Sequence, residues 1–178
     1  LYSGAAGIGF FFIQLYEVTK EKQWLDEAIG AADYLIHTYS QELSTNPGIH
    51  TGTAGEGLFL ELLYKKTGEP RYRDQVIRIA DDIYEKAIKE DGSIHWQGFF
   101  DYMGDGGAIA YWLHVAEAAK EQKYVTYAKE ALDSILKLQV EQKDGSVYWK
   151  LFDPHEYFKT VPEGGVVPNF AHGTAGIA

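Results

Sequence analysis

The feature that most constrains the fold is a Gly-x-x-Gly element that occurs four times in the 178 residues. The four copies begin at Gly4, Gly52, Gly104 and Gly173, at intervals of 48, 52 and 69 residues. Self-similarity at periods of about 20 to 50 residues is typical of repeat proteins, in which each repeat is one supersecondary unit. We therefore predict an array of repeats that start near residues 4, 52, 104 and 173.

Each of the first three repeats has the pattern of two helices. An apolar stretch follows the glycines, and small or apolar residues then recur at helical spacing, as in Val76, Ala80 and Ile83. Turn signals separate the two helices at residues 67–70 and again at residues 120–123. The first helix is apolar nearly all round, which predicts a buried inner helix. The second is amphipathic, so its charged residues are expected to face water.

Connecting segments follow the second and third repeats. Residues 91–96 and 144–149 match each other, and each opens with Asp-Gly, which predicts a tight turn followed by a short extended stretch. Residues 151–168 are rich in proline, glycine and aromatic residues, so we predict a loop at one rim.

Hairpins that alternate inner and outer helices either stack into an open solenoid or close into an α/α toroid. Glycines at the crowded starts of inner helices allow close backbone approach, which favours the toroid. We predict an all-α fold, an α/α toroid of which about three and a half hairpins are present. Residues 1–178 are predicted to form one partial toroid domain, a fragment of a longer chain.

Two residues depart from their counterparts in the other repeats. The residues immediately before the first glycine are Ser3, Thr51, Met103 and His172, and those three before it are Leu1, Ile49, Asp101 and Asn169. His172 and Asp101 would both lie ahead of inner helices, at the same end of the toroid. A neutral imidazole beside a carboxylate is suited to acid–base catalysis near pH 7. We predict this pair as catalytic; the alternative, a helix cap and a loop hydrogen bond, stays open.

Four more residues are predicted to contact a substrate. Asp105, inside the third glycine cluster, either joins the site or caps its helix, and Tyr102 lies close to it in sequence. His95 and Trp149 belong to the rim segments, where aromatic residues line a groove for peptide or sugar or else pack between helices. His114 lies within an inner helix and is expected to be a core residue with its hydrogen bonds satisfied.

Composition excludes several classes of function. The net charge is −10, with 16 basic residues among 26 acidic ones, which argues against a nucleic-acid partner. The absence of cysteine excludes disulfides, thiolate nucleophiles and Cys-ligated zinc within this chain. No apolar run reaches the roughly 18 residues of a transmembrane segment, and nothing resembles a signal peptide, so a cytoplasmic protein is expected. Motifs of metalloproteases, phosphate loops and serine hydrolases are also missing.

Three phrases carry a resemblance to a known family. Residues 1–9, residues 49–55 and above all Ala171-His172-Gly173-Thr174-Ala175-Gly176 resemble the lanthionine synthetase C-like proteins. The resemblance implies an α/α toroid of about seven hairpins and roughly twice this length. It also implies a cyclase that joins a cysteine thiol of a precursor peptide to a dehydrated Ser or Thr, forming a thioether. His172 would be the acid/base residue, Asp101 its partner carboxylate, and a dehydratase domain or partner protein would act beforehand.

The resemblance has one implication that this chain does not meet. Zinc-dependent members hold their metal with two Cys and one His located after the His-Gly motif, whereas this chain has no cysteine and ends two residues after Gly176. We therefore expect no cofactor within this chain, zinc only in an intact zinc-dependent protein, and no cyclisation by these residues alone. Two alternatives remain: a six-hairpin carbohydrate-active enzyme with paired carboxylates, and a non-catalytic family member that binds peptides or thiols.

Overall fold

The inner helices begin at or beside the first glycine of each Gly-x-x-Gly copy that the structure describes. The structure is a computed structural model, and it describes residues 1, 4–39, 46–96, 104–149 and 175. Its helices are α1 (Gly4–Thr19), α2 (Lys22–Thr38), α3 (Thr53–Thr67), α4 (Pro70–Glu85), α5 (Asp105–Ala119) and α6 (Lys123–Lys137). The strands are β1 (Ile88–Glu90), β2 (Ser93–His95), β3 (Gln139–Glu141) and β4 (Val147–Trp149). The predicted fourth repeat, from residue 173, lies outside the described residues except for Ala175.

The helices form two layers. Helices α1, α3 and α5 lie side by side as the inner layer, and α2, α4 and α6 pack on them as the outer layer. Helix α4 also contacts α5, so an outer helix joins two neighbouring repeats. This alternation is that of an α/α toroid, as predicted. Within the described part of the chain, no helix is both long and apolar enough to cross a membrane.

The core lies between the two layers, and aromatic side chains of α5 form hydrogen bonds with the backbone of α4 across it. The predicted outer-helix positions Val76, Ala80 and Ile83 are all buried. Tyr111 of α5 donates its hydroxyl hydrogen to the carbonyl oxygen of Val76 at 2.8 Å. Trp112 donates from its indole nitrogen to the carbonyl oxygen of Ala80 at 3.0 Å. The aromatic side chains of an inner helix therefore satisfy buried polar atoms while they fill the core.

The prediction that the charged residues of α4 face water is wrong for one of them. The side chain of Asp82 is only 13% exposed, and its Oδ2 accepts a hydrogen bond from the Tyr39 hydroxyl at 2.8 Å. Burial, followed by this bond, raises the pKa of Tyr39. The carboxylate links the end of the second helix to the fourth, which a periodicity argument does not reveal.

The two Asp-Gly segments form complete β-hairpins. Strand β1 pairs with β2 and β3 with β4, both antiparallel. The sequence predicted only the strands after the turn; the strands before it had no Gly or Pro signal to mark them. In the first hairpin both Asp91 (φ 48°) and Gly92 (φ 73°) have positive φ, as tight two-residue turns require. Strand β2 packs against α6, so this hairpin covers the next outer helix.

The turn between the inner and the outer helix has left-handed backbone at the same position in each of the three described repeats. Its φ is 59° at Lys20, 70° at Gly68 and 57° at Lys120, each sixteen residues after the first glycine. Left-handed backbone favours glycine because any other L residue brings its Cβ too close to a carbonyl oxygen. Only the second repeat has glycine there.

Replacing Lys120 by glycine is therefore expected to raise the free energy of unfolding by up to about 1 kcal/mol. Urea denaturation of the protein and its variant measures the change. Lys129→Gly is the matched control, because this exposed lysine lies within α6; it is expected to lower the free energy of unfolding by about 1 kcal/mol. Equal effects of the two substitutions would show that the backbone at Lys120 carries no strain.

Candidate functional site

The end of the toroid where inner helices begin is the predicted location of the site. Helix α3 starts after Gly52 and α5 after Gly104, and neither of these N-cap residues has a side chain that caps the first turn. In the first turn of α3 the N–H groups of Thr53 and Gly55 are bonded to the carbonyl oxygens of Asn46 and Gly52, and the positive end of the helix dipole favours an anionic or carbonyl-bearing group at this end. The outer helices run the opposite way, so their C-terminal ends and the β-hairpins lie here too.

The predicted catalytic pair lies outside the described residues. His172, Asp101 and the predicted substrate contact Tyr102 therefore remain predictions. Their counterparts in the second repeat are described: Thr51, which corresponds to His172, is exposed and accepts a hydrogen bond from the Asn46 amide at 3.0 Å. Ile49, the counterpart of Asp101, is buried.

Asp105 lies at the first position of α5 and is almost fully buried. Its Oδ2 accepts a hydrogen bond from the backbone N–H of Trp96 at 3.3 Å, and a carboxylate in the first turn is favoured by the helix dipole. Asp105 therefore ties the end of the first β-hairpin to the start of an inner helix. That it also contacts a substrate stays a prediction.

Trp149 and Trp96 are equivalent residues that make the same bond. The indole of Trp96 donates to the carbonyl oxygen of Ile83 at 3.2 Å, and that of Trp149 to the carbonyl oxygen of Ile135 at 2.8 Å. Trp149 is 6% exposed, so most of its ring packs within the protein. Both tryptophans therefore have a packing role. Little of the Trp149 side chain is left exposed for the predicted contact with a substrate.

His95, the remaining predicted contact, is half-buried on β2. Its Nδ1 lies 3.4 Å from the carbonyl oxygen of Trp96, and its Nε2 lies 3.9 Å from Oε2 of Glu90 on the paired strand. The ring is therefore held at the rim beside a carboxylate. Its contact with a substrate is untested and stays a prediction.

A cluster that the sequence did not indicate lies on two inner helices. Glu61 of α3 is buried, with Lys65 and His114 close to its two carboxylate oxygens. The expectation that His114 is a core residue is wrong, because its side chain is 53% exposed. Comparison of the repeats could have indicated this cluster, because the counterparts of Glu61 in the other two repeats are the apolar residues Ile13 and Leu113.

The zinc site that the family resemblance implies does not fit the residues present. Two of the implied ligands are cysteines, and the chain has none. Among the residues that the structure describes, no group of three or more His, Asp or Glu side chains is placed to hold a metal ion.

The toroid and its glycine-led inner helices define the class of protein, and the comparison with protein families defines the family. The model of the family described as lanthionine synthetase C-like protein matches residues 1–178, the whole chain. The chain belongs to the lanthionine synthetase C-like family. No curated protein matches it.

Solved structures of the same fold come from sugar-processing enzymes. A family 76 α-mannanase of Bacteroides thetaiotaomicron is 22% identical, with a TM-score of 0.58 over 82% of this chain and 46% of its own. A D-mannose isomerase is 13% identical, with a TM-score of 0.59 over 83% and 45%. A family 76 mannosidase of B. thetaiotaomicron is 16% identical, with a TM-score of 0.54 over 80% and 46%. At these identities the likeness shows the fold alone, and the chain spans about half the length of each.

Proposed function

We propose that this chain forms part of a lanthipeptide cyclase, which adds cysteine thiols of a precursor peptide to dehydroalanine or dehydrobutyrine. The observation that carries the proposal is the family match over the whole chain. The His172-Gly173 motif supports it, because this histidine departs from the repeat at the place where a catalytic group would stand. The substrate is a peptide that a dehydratase, as a domain or a partner protein, has already dehydrated.

The proposed reaction is an addition without any change of oxidation state. The thiol loses its proton, and the sulfur attacks the β-carbon of the dehydro residue, forming the carbon–sulfur bond. The electron pair of the double bond moves to form an enolate, and a proton delivered to the α-carbon completes the thioether. His172 would move these protons, and Asp101 would orient its ring.

The described residues contribute polarity at the same end. The positive ends of the α3 and α5 helix dipoles lie at the end of the toroid where the enolate oxygen would develop negative charge. A fixed dipole of this kind stabilises a developing oxyanion because it needs no reorganisation during the reaction. In this proposal the backbone carbonyl of the dehydro residue lies near the positive ends of these helix dipoles.

The test is ring formation by the complete protein. The protein is incubated with a synthetic peptide that contains one cysteine and one dehydroalanine, and the products are alkylated with iodoacetamide. Cyclisation leaves the peptide mass unchanged but removes the thiol, so the expected product is no longer alkylated. A peptide with alanine in place of dehydroalanine is the control and should stay fully alkylated. Equal alkylation of both peptides would contradict the proposal.

A carbohydrate-active enzyme is the second candidate, because the three solved structures above are named for mannan, mannoside and mannose. A glycosidase requires two carboxyl groups that flank the scissile bond. Of the described acids at the inner-helix end, Asp105 is buried and bonded to the Trp96 backbone, and Glu56 lies half-buried in the first turn of α3. Incubation with α-mannan and with mannose, followed by sugar analysis, is expected to show no product. Sugar turnover without thioether formation would reverse the order of the two candidates.

A non-catalytic member of the family is the third candidate. Such a protein would keep the Gly-x-x-Gly elements and bind the peptide without forming a ring. Tight binding of the dehydrated peptide, with its thiol still open to alkylation, would identify this class.

A further inference from the structure

Helix α3 contains a buried carboxylate that the fold does not require. Glu61 is 2% exposed and lies among apolar residues of an inner helix. Its counterpart in the first repeat, Ile13, is equally buried, so an apolar side chain can fill this position. Burying a carboxylate is unfavourable unless it is paired, and replacing such groups by apolar ones is often neutral or stabilising. Packing alone therefore does not account for Glu61.

Each oxygen of the Glu61 carboxylate faces a different basic side chain. The ammonium nitrogen of Lys65 lies 2.8 Å from Oε1, and Nδ1 of His114 lies 3.8 Å from Oε2. The side chains of Lys65 and His114 are 51% and 53% exposed. The buried carboxylate thus lies beside two half-exposed basic side chains on neighbouring helices.

The two basic groups lie on the wall that faces the centre of the toroid. Trp112 of α5 is fully buried and faces the outer layer, where its indole bonds to the Ala80 carbonyl oxygen of α4. His114 and Glu117 are exposed on the other side of the same helix, which in a toroid is the lumen. His114 is nine residues into α5, about 14 Å from its start at a rise of about 1.5 Å per residue.

We propose that Lys65 and His114 form a carboxylate-binding subsite on the inner wall, with Glu61 as the positioning counter-ion. The ligand group is a carboxylate of the peptide substrate, so this inference rests on the proposed function. Lys65 has three N–H donors, and its bond to Glu61 uses one of them. An incoming carboxylate accepts hydrogen bonds from the Lys65 ammonium group and from a ring N–H of His114, and the bond from the ammonium group is charge-assisted and therefore the stronger one.

The depth of the subsite indicates which carboxylate it takes. An extended peptide spans about 3.3 to 3.6 Å per residue, so about four residues separate the subsite from a cysteine at the helix starts. The carboxylate is therefore an Asp or Glu side chain at that distance, or the C-terminus of a short peptide.

The experiment measures binding rather than turnover, using the complete protein and fluorescein-labelled peptides. Each peptide carries one cysteine, with alanine in place of dehydroalanine so that no reaction occurs. One peptide has an aspartate about four residues from the cysteine and an amidated C-terminus. The second has asparagine there and a free C-terminal carboxylate, and the third has asparagine and an amidated C-terminus. Fluorescence anisotropy gives the Kd of each.

One or both carboxylate peptides are expected to bind about fivefold more tightly than the uncharged peptide, the size of a half-exposed ion pair. The peptide that binds more tightly shows whether the carboxylate is that of an aspartate side chain or that of the C-terminus. This gain in affinity over the uncharged peptide should disappear in His114→Gln and in Lys65→Gln, and it should become smaller with added salt. Lys66→Gln is the matched control, because this neighbouring lysine pairs with Glu17 of α1; it should keep the gain.

Three equal affinities in the wild-type protein would overturn the subsite, and so would a gain that survives both His114→Gln and Lys65→Gln. Thermal unfolding of each variant checks that it is folded, and the two variants are independent of each other. Failure of the proposed function has a different signature: the carboxylate preference remains while the reactive peptide forms no ring.

Discussion

Replacing Gly57 by alanine is expected to lower the free energy of unfolding by about 2 to 3 kcal/mol, although alanine is the better helix former. A Cβ at Gly57 would overlap the ring of Tyr111 on the neighbouring inner helix. Tyr111 cannot move aside, because it is fully buried and donates its hydroxyl hydrogen to the Val76 carbonyl oxygen at 2.8 Å. Burial, followed by the charge of Glu61, raises its pKa, so the phenol stays protonated and keeps this bond.

The same contact occurs one repeat earlier, which makes it a rule of the fold. A Cβ at Gly9 of α1 would overlap the ring of Phe59 of α3. Gly9 and Gly57 each lie five residues after the first glycine of their repeat, and Phe59 and Tyr111 lie seven residues after it. The aromatic ring of each inner helix therefore occupies the space that the glycine of the preceding helix leaves open.

Gly30→Ala is the matched control. Gly30 lies within α2, and a Cβ there meets no atom within 4 Å, so alanine is expected to stabilise the helix by up to about 1 kcal/mol. Thermal unfolding separates the two, with Gly57→Ala lowering Tm by roughly 5 to 10 °C for a domain of this size. A rise in Tm for both variants would mean that the inner helices are further apart than the structure shows.

The helix boundaries followed from the sequence because they depend on local chemistry. Residues 67–70 combine the left-handed preference of Gly68 with Pro70, which suits the first turn of a helix, and α3 and α4 meet there. The pairing of Gly57 with Tyr111 did not follow, because it joins two helices that are 54 residues apart in sequence. Periodicity shows which face of a helix is apolar but not which side chain of a neighbour fills a gap.

The candidate site was predicted unevenly for a related reason. Position in the repeat identified residues that differ from their counterparts, such as His172, but it did not show which are accessible. The side chains of Trp149 and Asp105 form hydrogen bonds with backbone groups of the fold. His114 was expected in the core because its helix is apolar, yet an inner helix of a toroid has a second exposed side, towards the lumen.

Replacing His172 by alanine in the complete protein is expected to slow ring formation by about a hundredfold to ten thousandfold, the usual contribution of a positioned acid/base group. Asp101→Asn should have a smaller effect, because the aspartate orients the imidazole and does not itself exchange the proton. Iodoacetamide trapping of the remaining thiol gives the rate for each variant. His37→Ala is the matched control, since this exposed histidine lies in the last turn of α2 at the same end and has no role in the proposed site; it should keep a near-normal rate.

The stereochemistry of the product is a second measure of the same step. If His172 delivers the proton, one face of the enolate is protonated and a single diastereomer of the thioether forms. Without it, water protonates either face, so the residual product of His172→Ala should contain both diastereomers, which chiral chromatography after acid hydrolysis resolves. A normal rate with a single diastereomer would remove His172 from the mechanism. A slow reaction with a single diastereomer would instead assign it to the thiol proton, because the α-carbon would then receive its proton from another fixed donor.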